Sequence, residues 1–216
     1  MTLLDFARGP AMQWALVIFL LGVSYRLVAI FLFGRKKPLS AKRGNATIGG
    51  YRTIFTRMVP HTVFRKRIGT AYLTSMVWHM GFVFVLLLFQ PHILFFEGLL
   101  GISWPGVANS VVMPVGGLTL VLLLLAFIRR LNQPVLKLIS GPGDFITLIV
   151  TALPLITGLL AAAHQLLPYE TMLALHILSV CLLLVWVPFG KLMHIALFAP
   201  SRKRLGAKMG YKGIKA

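Results

Sequence analysis

Residues 111–130 read VVMPVGGLTLVLLLLAFIRR. Between Val111 and Ile128 Thr119 is the one polar side chain, and the run stops on Arg129 and Arg130. Eighteen residues of helix rise about 27 Å, close to the roughly 30 Å hydrocarbon core of a bilayer. Four more blocks of this kind give predicted spans at about 11–33, 70–90, 108–128, 145–166 and 171–198. In hydrocarbon every backbone N–H and C=O must be paired within its own segment or a closed barrel, so unbroken apolar blocks are read as helices. The expected fold is an all-α integral membrane protein, a bundle of five transmembrane helices forming a single membrane domain over residues 1–216. Composition agrees: 58% of the chain is hydrophobic and only 12% charged, whereas a soluble domain has about 45–50% apolar and 25% charged residues. Between the third and fourth spans Gly141-Pro142-Gly143 breaks the chain, and Asp144 is placed to accept a backbone N–H as a cap. Glu170 and Thr171 are cap candidates for the fifth span.

The net charge is +18, from 22 Lys and Arg against 4 Asp and Glu. Ten basic residues fall in 35–68, three in 129–143 and six in the tail 199–216, whereas the connections 91–107 and 167–170 hold none. Basic residues collect in cytoplasmic loops, so the N-terminus is expected outside, the C-terminus inside, and the number of spans odd. The basic residues flank spans and form no folded basic domain of their own, which argues against nucleic-acid binding. Within 35–68, Tyr51, Ile54, Phe55, Met58 and Val59 are spaced as a short amphipathic helix lying on the inner leaflet, with partner docking as the alternative. The single cysteine, Cys181, excludes an intramolecular disulfide, a thiolate-held cluster and a covalent C-x-x-C-H haem. The first block, from Met12 to Phe33, is too long for the apolar core of a cleavable signal and reads as a retained span.

Ionisable residues inside spans are functional candidates, and the chain has six histidines. His176 and His194 are 18 residues apart, five whole turns of an unbroken helix. They would share one face and lie about 27 Å apart, one near each membrane surface. This is the placement a transmembrane electron carrier needs, since imidazole is a good axial ligand for haem iron and a facing helix supplies the second ligand. His79, one or two turns into the second span, is the natural inner partner of His194. For His176 the partner is His92, re-aimed by a break at Pro91, or His164. His61 reads as interfacial.

The matching stretches Trp78-His79-Met80-Gly81, Gly141-Pro142-Gly143-Asp144, Leu153-Pro154-Leu155-Ile156-Thr157-Gly158, Leu175-His176-Ile177-Leu178 and Pro188-Phe189-Gly190-Lys191-Leu192-Met193-His194, with a weaker one at Gly22 to Arg26, carry a resemblance. The chain resembles the gamma-subunit family of respiratory nitrate reductase, five-helix di-haem membrane cytochromes b. It is nearest the shorter members that partner heterodisulfide-reductase-like iron–sulfur subunits. The resemblance implies two non-covalent b haems, a quinone substrate (menaquinone or ubiquinone) near the outer haem, a cytoplasmic iron–sulfur partner and a prokaryotic inner membrane. It carries over His79, His176 and His194 as axial ligands. It also implies a ligand ten residues after His79, but that position is Phe89, which cannot bind iron; His92 is taken in its place, with His164 open.

The expected function is therefore electron transfer between the quinone pool and a cytoplasmic redox subunit through two bis-histidine haems. Arg26 is a candidate partner for a haem propionate, with snorkelling to headgroups as the alternative. Glu97, Glu170 and His164 are positional candidates for proton relay on the outer side. Trp78, Trp104 and Trp186 are read as interfacial or packing residues, and Gly81 and Gly116-Gly117 as points of close approach. The competing readings are a haem-free anchor for a soluble complex and a small transporter. The transporter would call for buried mid-span charges and broken helices in paired halves, which the sequence does not display.

Overall fold

The computed structural model describes residues 1–32 and 39–214. The expected end of the first span at Phe33, and the basic residues Arg35, Lys36, Lys37 and Lys215, lie outside the described residues. The helices are α1 (Leu3–Leu32), α2 (Ala46–Thr56), α3 (Thr62–Leu88), α4 (Gln90–Leu100), α5 (Asn109–Asn132), α6 (Pro134–Leu138), α7 (Pro142–Ala162), α8 (Tyr169–Trp186) and α9 (His194–Tyr211). Among the described residues there is no strand, only an isolated bridge between Phe89 and Val107. Five helices, α1, α3, α5, α7 and α8, are long and apolar enough to cross a membrane. The chain is an all-helical, multi-pass membrane protein. Large apolar side chains such as Trp14, Leu20 and Leu73 are mostly exposed. Hydrocarbon covers such surface without cost, because lipid tails are as apolar as leucine.

The ends of the spans follow local chemistry. Thr2 and Asp5 cap α1 reciprocally, the Thr2 N–H donating to Asp5 Oδ2 at 2.8 Å and the Asp5 N–H to Thr2 Oγ1 at 3.1 Å. This starts the helix well before residue 11. Pro10 falls in a π-helical turn over Ala7–Ala11, which absorbs its missing N–H. The α3 helix runs without a break from Thr62, so Arg65, Lys66 and Arg67 lie on its first turns. Asp144 does cap α7, from its third position: the Gly141 N–H donates to Asp144 Oδ2 at 3.0 Å.

The fifth span departs most from expectation. It does not continue to 198 but ends at Trp186, and after a 3-10 turn at Lys191–Met193 a separate helix begins at His194. Pro188 has no N–H and crowds the preceding turn. The N–H groups of Phe189 and Gly190 instead both return to the Trp186 carbonyl, at 3.2 and 2.9 Å. The five-turn register linking His176 and His194 assumed one unbroken helix, and so it does not hold.

The chain forms two compact units: Met1–Leu16 with Thr70–Leu184, and Val17–Gly69 with Val185–Ala216. In the first, Leu123, Ala152 and Leu155 form a buried cluster against which Trp78 and Phe82 pack. Thr119, 2% exposed, satisfies its hydroxyl on the Val115 carbonyl at 2.7 Å. In the second unit α2 and α9 pack antiparallel through small residues. A β-carbon on Gly49 would lie 2.8 Å from the Gly210 Cα, and one on Gly206 would collide with the Thr53 side chain. Small residues let two backbones approach this closely. Arg43 N–H donates to the Tyr211 carbonyl at 2.8 Å and closes one end of the pair. Lys203 Nζ donates to Tyr51 Oη at 2.9 Å while lying 4.2 Å from the ring centroid. That ammonium holds the Tyr51 phenol below its usual pKa, mainly through the hydrogen bond.

Candidate functional site

The chemistry of the first unit gathers where the second span breaks. Gln90 precedes Pro91 and is biased away from the α region, and Phe89 adopts extended angles (φ −78°, ψ 123°) before α4 starts with the proline in its first turn. The break takes helical donors from carbonyls at the end of α3, a cost that an apolar environment does not forgive. Leu88 O accepts instead from the Val107 N–H at 2.9 Å and Leu87 O from Trp104 Nε1 at 2.5 Å. Val85 O keeps its helical bond from the Phe89 N–H at 3.3 Å and also accepts from His92 Nδ1 at 3.0 Å. The interruption therefore both turns His92 and fixes its tautomer, since a carbonyl partner requires the proton on Nδ1.

So turned, the His92 ring faces His176 on α8. Their centroids are 6.0 Å apart and their planes 19° from parallel. Phe89, at the position where the resemblance implied a ligand, packs its ring edge-on to His92 at 5.2 Å. His176 Nδ1 lies 3.3 Å from Thr157 Oγ1 on α7. Thr157 donates its own proton to the Leu153 carbonyl at 2.7 Å, so its oxygen is the acceptor for the His176 N–H. Ser179 Oγ stands 3.1 Å from the same oxygen. Space for the imidazole comes from Gly158: a β-carbon there would sit 2.9 Å from His176 Cε1. Thr157 and Gly158 belong to a motif noted in the sequence, but their contact with His176 is visible only in the fold.

The other candidates are placed as follows. His79, half-buried on α3 in the first unit, hydrogen-bonds through Nδ1 to the Ser75 carbonyl at 2.6 Å and stacks on Trp78 at 3.6 Å. His194, in the second unit, is exposed at the first position of α9, with Nδ1 2.9 Å from the Lys191 carbonyl. All four candidate ligands thus engage Nδ1 locally, an arrangement that orients imidazoles for binding through the other nitrogen. His164 is exposed with a left-handed φ of 53°, and its ring stacks on Tyr169 at 4.8 Å. His61 is exposed beside the start of α3, its Nδ1 3.4 Å from the Val63 N–H. Arg26, Glu97 and Glu170 are exposed, and Glu97 accepts from Ser103 Oγ at 3.2 Å.

Two further features belong to the first unit. Asp144, 8% exposed, lies 3.5 Å from Arg130 Nη1, which also donates to Ser140 Oγ at 2.8 Å. This ties the start of α7 to the end of α5. Between α3 and α5 lies an open apolar cleft of about 450 Å³, lined by Met80, Phe84, Leu87 and Leu118 among others. Gly81 and Thr119 meet closely at its wall. Among the described residues no group of three or more His, Cys, Asp or Glu gathers in one place.

No protein-family model matches the chain, and no solved structure matches it. A curated protein of Nitratidesulfovibrio vulgaris (strain Hildenborough), named only "Protein", is 28% identical over 213 residues, covering 96% of this chain and 93% of that one. The similarity extends across both units, and that name assigns no activity.

Proposed function

We propose that the chain is a membrane cytochrome b subunit that carries electrons between the quinone pool and a cytoplasmic iron–sulfur partner, with its N-terminus outside and C-terminus inside. The observation that carries this reading is the His92–His176 pair. Two imidazoles from different helices meet there, with ring centroids 6.0 Å apart and planes 19° from parallel, and imidazole is the side chain that most often holds haem iron from the protein side. The residues fit a haem in three respects. The donors are two imidazoles, Nδ1 of each is engaged, and Gly158 makes room for the His176 ring against α7.

His92 and His176 would hold one haem, and the family resemblance, which carries over His79 and His194 as axial ligands, implies a second. A bound haem supplies one-electron redox chemistry whose potential depends on its axial ligands, their hydrogen bonds and burial. The protein's part is to hold the imidazoles in one tautomer, through Val85 O for His92 and Thr157 Oγ1 for His176. The apolar cleft between α3 and α5 suits the tail of a quinone, and the many basic residues suit an acidic soluble partner.

The reading is tested by treating the purified, detergent-solubilised protein anaerobically with a short-chain quinol. A b-type absorption band that develops on reduction is expected. A preparation with no haem absorbance at all would overturn the reading in favour of a haem-free anchor.

A further inference from the structure

All four carboxylates of the chain, with Arg8, Arg129, Arg130 and Lys137, fall in the first unit, which is formally neutral. The second unit has no carboxylate and holds the other 18 basic residues, and so the whole of the net +18. Its described loop helix, α2, is inverted relative to an ordinary amphipathic helix of a soluble core. The face turned to α9 is made of small residues, Gly49, Gly50 and Thr53. The opposite face leaves Ile48, Tyr51 and Phe55 at 65%, 52% and 68% exposure. Arg52 and Lys203 flank these side chains, and Lys203 is held on Tyr51. At 100° per residue, positions 48, 51, 52 and 55 share one face, and 49, 50 and 53 share the other.

We infer that this outward face of α2, with the basic residues around it, rests on an anionic phospholipid surface, Ile48, Tyr51 and Phe55 entering the headgroup–acyl boundary and Arg52 and Lys203 meeting phosphates. Chain length favours lipid over a soluble protein as the occupant. Only residues 57–61 separate α2 from α3, a tether of at most about 20 Å. The 27 residues of α3 exceed what a bilayer core needs by about seven, and Arg65, Lys66 and Arg67 lie in that excess. The start of α3 therefore lies at headgroup depth, and α2 is held beside it. Aromatic residues interleaved with basic ones and no acidic residue are the composition of an interfacial helix, whereas the core of a protein–protein interface is depleted of charge.

The test uses the full chain with Cys181→Ser, and nitroxide labels on single cysteines at Thr47, Ile48, Tyr51, Phe55 and Thr56. It is reconstituted in vesicles of phosphatidylcholine alone or with phosphatidylglycerol. In the anionic vesicles the labels at 48, 51 and 55 should show a several-fold higher ratio of collisions with oxygen to collisions with an aqueous nickel chelate than those at 47 and 56. The contrast should fall in phosphatidylcholine, and in an Arg52→Glu, Lys203→Glu variant. Labels at 48, 51 and 55 that stay open to the chelate in anionic vesicles would overturn the inference and leave the face to a soluble partner. Equal contrast in the two lipids would overturn the anionic recognition. The comparison of lipids uses native charges, so it stands even where the double Glu variant fails to fold.

Discussion

The two units solve opposite problems with the same small residues. In the first, neutral unit, Gly158 removes a side chain so that an imidazole can turn in against α7, and the polar groups near it are paired one by one. In the second, all of the net charge is kept on a frame built by Gly49, Gly206 and Gly210, where two backbones meet and the large apolar side chains are left outside. A glycine beside a candidate ligand protects chemistry; a glycine between two helices protects geometry. The distinction is open to separate disruption.

The largest effect is expected from Gly206→Leu. The new side chain has no space against Thr53 and the Gly49 carbonyl, and overpacking costs about 1–3 kcal/mol or more. Hydrogen exchange over residues 46–56 should accelerate by about tenfold or more, while the absorbance of any bound haem in the first unit stays as in the wild type. Gly158→Val is the reciprocal change: the β-carbon alone meets the His176 ring at 2.9 Å. Haem content should fall by about one per chain relative to the wild type, with exchange over 46–56 unchanged. Loss of both properties in either variant would mean that the two units are not separable.

Asp144→Ala removes the carboxylate beside Arg130, which keeps its hydrogen bond to Ser140 Oγ. Breaking a fully buried pair costs about 3–5 kcal/mol, but the Arg130 side chain is 29% exposed and retains access to water. A loss of about 1–3 kcal/mol is expected, read as a lower unfolding midpoint in detergent. The smallest effect is that of Thr157→Val, which takes the acceptor from His176 Nδ1. A hydrogen bond worth about 0.5–1.5 kcal/mol corresponds to roughly 20–65 mV for one electron. A more weakly donating imidazole favours the reduced iron, so the midpoint potential should rise. An unchanged potential would detach Thr157 from the cofactor.

The five long helices are legible in the sequence because the bilayer writes its thickness into composition: 111–130 can scarcely be read otherwise. Breaks within those runs are less legible. Pro188 and Gly190 stand in plain view, yet whether a proline kinks a span or ends it depends on whether the freed carbonyls find donors, as Trp186 does from Phe189 and Gly190. The same holds at Pro91. The re-aiming of His92 becomes visible only with Val85 O, Trp104 and Val107 in place. The pairing of α2 with α9 joins residues about 150 positions apart; the glycines at 206 and 210 carry the signal for a close helix contact but do not name the partner. Thr157 and Gly158 stand in a motif of the sequence, but only the fold sets His176 against them.

The central claim rests on two imidazole rings 6.0 Å apart. The most direct measurement is the haem content per chain, with the reduced-minus-oxidised spectrum, of the wild type and of His92→Ala and His164→Ala. Two b haems in the wild type and in His164→Ala, falling to one in His92→Ala, is the predicted result. Unchanged haem in His92→Ala would contradict the pairing, and absence of haem from the wild type would contradict the account of this chain as a cytochrome.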